Sequence, residues 1–170
     1  AEIRPERAVL VQLAGGRVPK SVAQDSLAEL ARLADTAGAP VVGSVSQRRA
    51  KADAAFFVGK GKLGEIQTIC REHEANLIIF DNELLATQVN NLDRTFGIKV
   101  IDRTELILQI FARRASSEES QTQVELAQLQ YMEPRVPTQK QPRFGAGIGM
   151  RGPGETPLQM RRASMRSRIK

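Results

Sequence analysis

The sequence predicts an α/β fold: a small parallel sheet flanked by helices, followed by a long antiparallel two-helix hairpin with a glycine-rich loop. Three observations predict it. Four short apolar runs alternate with three stretches of helical periodicity between residues 7 and 102, as a parallel sheet with helical crossovers requires. No Gly or Pro occurs from Asp102 until Pro134. Beyond it, Arg143 to Thr156 holds five glycines and three side-chain charges, a composition unsuited to a packed core.

The elements follow in order. Ala8, Val9, Leu10, Val11 and Leu13 end at Gly15-Gly16 and read as a buried parallel strand. Ser21 to Gln24 has capping-box spacing, Leu27, Leu30 and Ala34 share one helical face, and Gly38 suits the residue after the helix. Val41 to Val45 reads as a second strand, and Ala54 to Val58 as either a fifth strand or a packed loop. Gly59-Lys60-Gly61-Lys62-Leu63-Gly64 precedes a helix with Leu63, Ile66, Ile69 and Cys70 on one face. Leu77 to Phe80 is the clearest strand. A helix with Leu85, Val89, Leu92 and Phe96 in phase follows, closed by Gly97, and Ile98 to Ile101 is the fourth strand.

From Asp102-Arg103-Thr104-Glu105, which has cap spacing, one helix is predicted to run for about 30 residues, or roughly 45 Å. That is longer than a small sheet can cover. A second helix is predicted from Pro157, with Thr156 as its cap and Leu158, Met165 and Ile169 on one side, which suits an antiparallel hairpin with the glycine loop at its tip. The expected division is an α/β subdomain over residues 1–102 and a helical hairpin subdomain over 103–170, with the glycine-rich loop at 143–156.

Charge is unevenly placed. The 170-residue chain carries +6, yet residues 134–170 alone carry nine basic residues against Glu155, or +8, leaving −2 for the remainder. Lys and Arg beside glycines favour phosphate, so Lys140, Arg143, Arg151, Gly152, Gly154, Arg161 and Arg162 are the candidate RNA-binding residues. RNA is preferred to duplex DNA because a narrow hairpin with a flexible tip suits an irregular surface read by shape. A solvated charge run or a contact with an acidic protein is the plainer alternative.

A second candidate is Gly59, Lys60, Gly61 and Lys62, where glycine amides and lysines at a helix start could bind a nucleotide phosphate. The string Gly-x-x-x-x-Gly-Lys-Ser/Thr occurs nowhere in the chain, so a plain strand-to-helix turn is the stronger reading. No catalytic residue and no metal site is expected. His73 is the single histidine and Cys70 the single cysteine, too few for a structural zinc site; Asp81, Asp102 and Glu105 read as loop and capping residues. One cysteine excludes an internal disulfide framework, no apolar run approaches the roughly 18 residues of a membrane span, and no signal peptide opens the chain. These features predict a cytoplasmic protein, and the ends of the sequence suggest a piece of a longer one.

Several strings together resemble the N-terminal region of the HflX-type ribosome-associated GTPases: Gly59 to Lys62, Phe80 to Leu84, Asn91-Leu92, Val100 to Leu108, Ile110 to Ala112, Gln123 to Leu129, Pro134-Arg135 and Gly149 to Thr156. The resemblance covers residues 7 to 170. It implies that a GTPase domain of the same protein follows, that GTP and Mg²⁺ belong to that domain and no cofactor to this chain, and that the partner is the large (50S) ribosomal subunit and its rRNA. It further implies a hairpin near the peptidyl-transferase region and a role in translation, ribosome splitting or rescue, or ribosome biogenesis, by a monomer. Gln159, Arg161 and Ala163 depart from the family's usual residues and raise the local positive charge while leaving the glycine loop intact. Two alternatives stay open: an ATP-binding or RNA-remodelling module using Gly59 to Gly64, and a coiled-coil assembly module.

Overall fold

A computed structural model describes residues 6–115 and 117–132. Four parallel strands, β1 (Ala8–Ala14), β2 (Val41–Arg48), β3 (Leu77–Phe80) and β4 (Lys99–Asp102), form one sheet in the order β2-β1-β3-β4. Between them run α1 (Lys20–Thr36), α2 (Lys60–Glu72) and α3 (Ala86–Phe96); α4 (Arg103–Arg114) and α5 (Glu118–Met132) follow.

The strand order explains which helix lies on which face. The β1-α1-β2 connection steps one way along the sheet, whereas β2-α2-β3 and β3-α3-β4 step the other way, so right-handed crossovers place α1 opposite α2 and α3. The side chains agree. Leu10, Leu77, Ile79 and Ile101 pack with Leu30 and Ala34 of α1 and with Leu106 and Ile110 of α4. Val9, Val11, Ile78, Phe80 and Val100 point to the other face, against Ile66 and Cys70 of α2 and Val89 and Leu92 of α3. Burial on both faces accounts for the unbroken apolar runs of β1 and β3. β2, at an edge, alternates in exposure instead.

Helix ends differ from the sequence expectation in two places. Ser21 does not cap α1: the helix starts at Lys20 directly after the extended Pro19, so Ser21 already lies within the first turn. At the other end Gly38, with φ of +85°, donates to Asp35 O while Ala39 donates to Ala34 O, a glycine-closed helix end as predicted. Leu85, expected on the buried face of α3, is its exposed N-cap residue.

The segment from Ala54 to Val58 is a packed loop. Asp53 Oδ2 accepts the amides of Ala55 and Phe56 at 3.0 and 2.7 Å, and a single bridge joins Asp53 and Phe57. Phe57 is held at a φ of +68°, its ring edge-on to Phe80. Gln88 and Asn91 of α3 donate to the carbonyls of Asp53 and Ala55, fastening the loop to the domain.

The expected single helix of about 30 residues is two helices. Ala115 leaves helical geometry with ψ of 119°, and Ser117 and Ser120 then exchange side-chain-to-backbone bonds that start α5, with Glu118 and Glu119 in its first turn. A serine-led start followed by acidic residues breaks the helix where no Gly or Pro stands. α5 folds back along α4, so that Tyr131 near its end donates its hydroxyl to Asp102 Oδ2 at the start of α4. The predicted helix from Pro157 and the loop at 143–156 lie outside the described residues.

Candidate functional site

The candidate nucleotide residues form a helix start. Gly59 is the extended N-cap of α2, with φ −70° and ψ 160°, so Lys60, Gly61 and Lys62 are the first turn and do not form a loop before it. Gly59 N donates to Gln47 Oε1, and Lys62 N and Leu63 N return to Gly59 O. No side chain caps this end and no acidic residue sits in its first turn, so the dipole's positive end is uncompensated locally. Arg49 lies over it: a methyl on Gly59 would come within 2.8 Å of the Arg49 guanidinium.

Such a start can hold a phosphate as a surface charge. It lacks the wrapped loop of a GTP site, no Ser/Thr follows either lysine to hold Mg²⁺, and Lys62 is already paired with Glu65 at 2.9 Å. GTP and Mg²⁺ therefore do not fit the residues present here. The other candidates, Lys140, Arg143, Arg151, Gly152, Gly154, Arg161 and Arg162, lie outside the described residues.

A cluster that sequence reasoning missed occupies the carboxyl edge of the sheet between β1 and β3. In open α/β sheets, ligands bind beyond the carboxyl ends where the strand order reverses, and here that position is between these strands. The chain fills it with its own side chains. Gln12 Nε2 donates to Ala23 O and to Asp81 Oδ2, and Ser46 Oγ donates to Gln12 Oε1. Ser26 of α1 donates to Asp81 Oδ2 at 2.7 Å, and Arg103 of α4 pairs with Asp81 Oδ1 at 2.7 Å and with Glu29 at 2.7 Å. The signal was present in the sequence: Gln12 is the one polar residue inside β1, and Asp81 follows β3 directly. Read as a lone loop residue, Asp81 gave no hint that Arg103 would reach it.

Asp102 is the second junction. Only 1% exposed, it caps α4 by accepting from Glu105 N, accepts from Leu84 N, and receives the Tyr131 hydroxyl. Its predicted capping role is observed, together with two further bonds that tie β4, the β3–α3 loop and α5.

Little else is built for chemistry. His73 is exposed at the end of α2, and burial pushes the Cys70 thiol up to about 11, which keeps it protonated and unreactive. Among the described residues no group of three or more His, Cys, Asp or Glu could hold a metal, and no helix is long and apolar enough to cross a membrane.

Comparison with known proteins gives consistent results over nearly the whole chain. Residues 24–112 match the GTP-binding GTPase N-terminal family, and residues 114–170 match the GTP-binding GTPase middle region. The chain is 45% identical over 167 residues to a GTPase HflX of Caldanaerobacter subterraneus subsp. tengcongensis, covering 97% of this chain and 38% of that protein. It is 51% identical over 148 residues to the GTPase HflX of Alkalihalophilus pseudofirmus, covering 86% of this chain and 35% of that protein. Among solved structures it resembles a GTP-binding protein from the hyperthermophilic archaeon Sulfolobus solfataricus in complex with GDP, at a TM-score of 0.56 and 25% identity over 76% of this chain and 38% of that one. The chain thus spans less than two-fifths of the length of these relatives.

Proposed function

The chain belongs to the HflX family of GTPases, as their N-terminal and middle region, and from that premise we propose that it is the part that binds the large ribosomal subunit through rRNA. The observation that supports this reading is the charge split: +8 over residues 134–170 against −2 over the rest. A protein that neutralises phosphates with Lys and Arg gains affinity from released counterions, whatever the sequence of the RNA. Arg143, Arg151, Arg161 and Arg162, with Lys140, supply the cations, and Gly152 and Gly154 allow close approach of the backbone. GTP and Mg²⁺ belong to the rest of the protein, whose activity in translation, ribosome rescue or biogenesis this region would direct to its target in the cytoplasm.

The test is large-subunit binding by Arg143→Ala/Arg151→Ala across a salt series, alongside thermal melts. Each lost contact is expected to flatten the salt dependence by about 0.7 to 0.9 of a unit of slope. Unchanged slope and affinity with an intact fold would remove the arginines of this segment from RNA contact.

A second reading, an ATP-binding or RNA-remodelling module using Gly59 to Gly64, is favoured by the uncapped start of α2 with Arg49 beside it. Calorimetric titration of the chain with ATP decides it, and absence of saturable heat would exclude it.

A further inference from the structure

The residues outside 134–170 are net acidic, yet basic residues gather at one corner of the fold. β1 and β2 pair in continuous register from Val9 opposite Gly43 to Ala14 opposite Arg48, and Arg49 N donates to Ala14 O, so the β1–α1 loop and the end of β2 lie side by side. Arg48 joins them by donating to the carbonyls of Gly15 and Val18 at 2.9 and 2.7 Å. The loop from Arg49 to Gly59 is fastened to α3 and brings the start of α2 back beside Arg49. Arg17 and Lys20, Arg48 and Arg49, and Lys51 and Lys60 are thereby gathered on one end of the sheet. Within the segments that supply them, residues 15–20 and 47–60, Asp53 is the one acidic residue. Asp53 is itself turned to the amides of Phe56 and Ala55, which, with Arg49 and Lys60 nearby, hold its carboxyl below the usual value. Acidic residues Glu72 and Glu74 stand instead at the far end of α2.

We propose that this end of the sheet is a second RNA-backbone contact surface, formed by Arg17, Lys20, Arg48, Arg49, Lys51 and Lys60. The inference rests on the RNA reading above and extends it to the α/β body. Three of the six are lysines, a residue depleted from protein–protein interface cores but suited to phosphate as a point charge. Gly16 and Gly61 leave open space where a side chain would stand, so a phosphate backbone can approach the main chain there. The uncapped N-terminus of α2 adds its dipole to the same side.

The end of the described chain lies on the same side. Tyr131 is bonded to Asp102 at the carboxyl end of β4, so the last described turn of α5 lies at the same edge of the sheet. β2 and β4 are three strand spacings apart, or about 14 Å.

The experiment uses the 170-residue chain with Arg17→Glu/Lys51→Glu/Lys60→Glu, all three exposed residues, titrated against purified large-subunit rRNA over a salt series. Loss of three phosphate contacts should lower the salt slope by about two units and the affinity at roughly 0.1 M salt on the order of 100-fold. The melting curve should stay unchanged. If the triple variant melts early, Lys51→Gln/Lys60→Gln takes its place, with an expected drop of about 1.4 units. Unchanged slope in these variants, while Arg143→Ala/Arg151→Ala lowers it, overturns this inference and leaves the first reading standing. Failure of the unaltered chain to bind rRNA overturns both. Equal weakening of poly-glutamate binding by the same substitutions assigns the surface to an acidic protein and also overturns the proposal.

Discussion

Replacing Arg103 with alanine should cost the domain about 2–3 kcal/mol, a value that follows from where its two carboxylate partners sit. Asp81 is 5% exposed in its side chain and Glu29 58%, with Arg103 between them at 22%. Removing one member of a fully buried pair costs roughly 3–5 kcal/mol, because a charge is left without its partner in a poorly solvated place. Here water reaches the guanidinium, and Asp81 keeps its bonds from Gln12 and Ser26, so the cost falls to the bottom of that range or just below it. The contact with Glu29 is a surface pair and should contribute about 0–0.5 kcal/mol. Thermal and urea unfolding of Arg103→Ala, Asp81→Asn and the double variant would measure the coupling, with Glu29→Gln as the control. A fall of about 8–10 °C in Tm is expected for Arg103→Ala. A loss below about 0.5 kcal/mol for Arg103→Ala, or a cost for Glu29→Gln equal to that of Asp81→Asn, would refute the assignment of Asp81 as the partner that matters.

Three other outcomes are expected. Tyr131→Phe should cost about 1–2 kcal/mol by withdrawing a donor from buried Asp102, and hydrogen exchange should rise in α5 while α1 to α3 keep their protection. Cys70 should resist disulfide reagents near pH 8 in the folded chain and react at once in denaturant, since burial holds its pKa at about 11. Burial also raises the pKa of Glu6 above its ordinary 4.5, against the opposing charge of Lys99. The folded chain then binds that proton more tightly than the unfolded one, so this group's contribution to stability falls as pH rises from about 4.5 through the raised value. Glu6→Gln should remove that slope in urea unfolding measured at successive pH values, and a slope unchanged by the substitution would place its origin elsewhere.

The sheet and its three crossover helices were legible because burial on both faces leaves a mark in every residue of a strand. Leu77 to Phe80 reads as the clearest core strand and is one, and Gly38 and Gly97 close the helices they are expected to close. What escaped was decided by polar side chains acting across long stretches of sequence. Gln12, Ser26, Asp81 and Arg103 are 14 to 55 residues from their sequence neighbours in the cluster, and no local pattern relates them; only the strand order, which reverses between β1 and β3, brings them together. The break at Ala115 escaped for a different reason. Gly and Pro are the usual marks of a helix end, whereas here Ser117 and Ser120 end one helix by starting another.

The polar cluster bears on function. A carboxyl edge open at the reversal of strand order would be a ligand crevice; filled by the Asp81–Arg103 pair, it instead fixes where α4 begins, and Asp102 with Tyr131 fixes where α5 ends. Buried polar contacts on that edge thus hold the start of α4 and the last described turn of α5 to the sheet. Weakening those contacts should alter RNA affinity even though none of their residues lies in the proposed interface. Arg103→Ala and Tyr131→Phe, measured below their melting points, should therefore lose affinity for rRNA while keeping the salt slope, since the number of cations is almost unchanged while α4 and α5 are held less firmly. A slope reduced in Tyr131→Phe, which removes no charge, would show that the basic segment engages RNA only when Asp102 holds α5 in place.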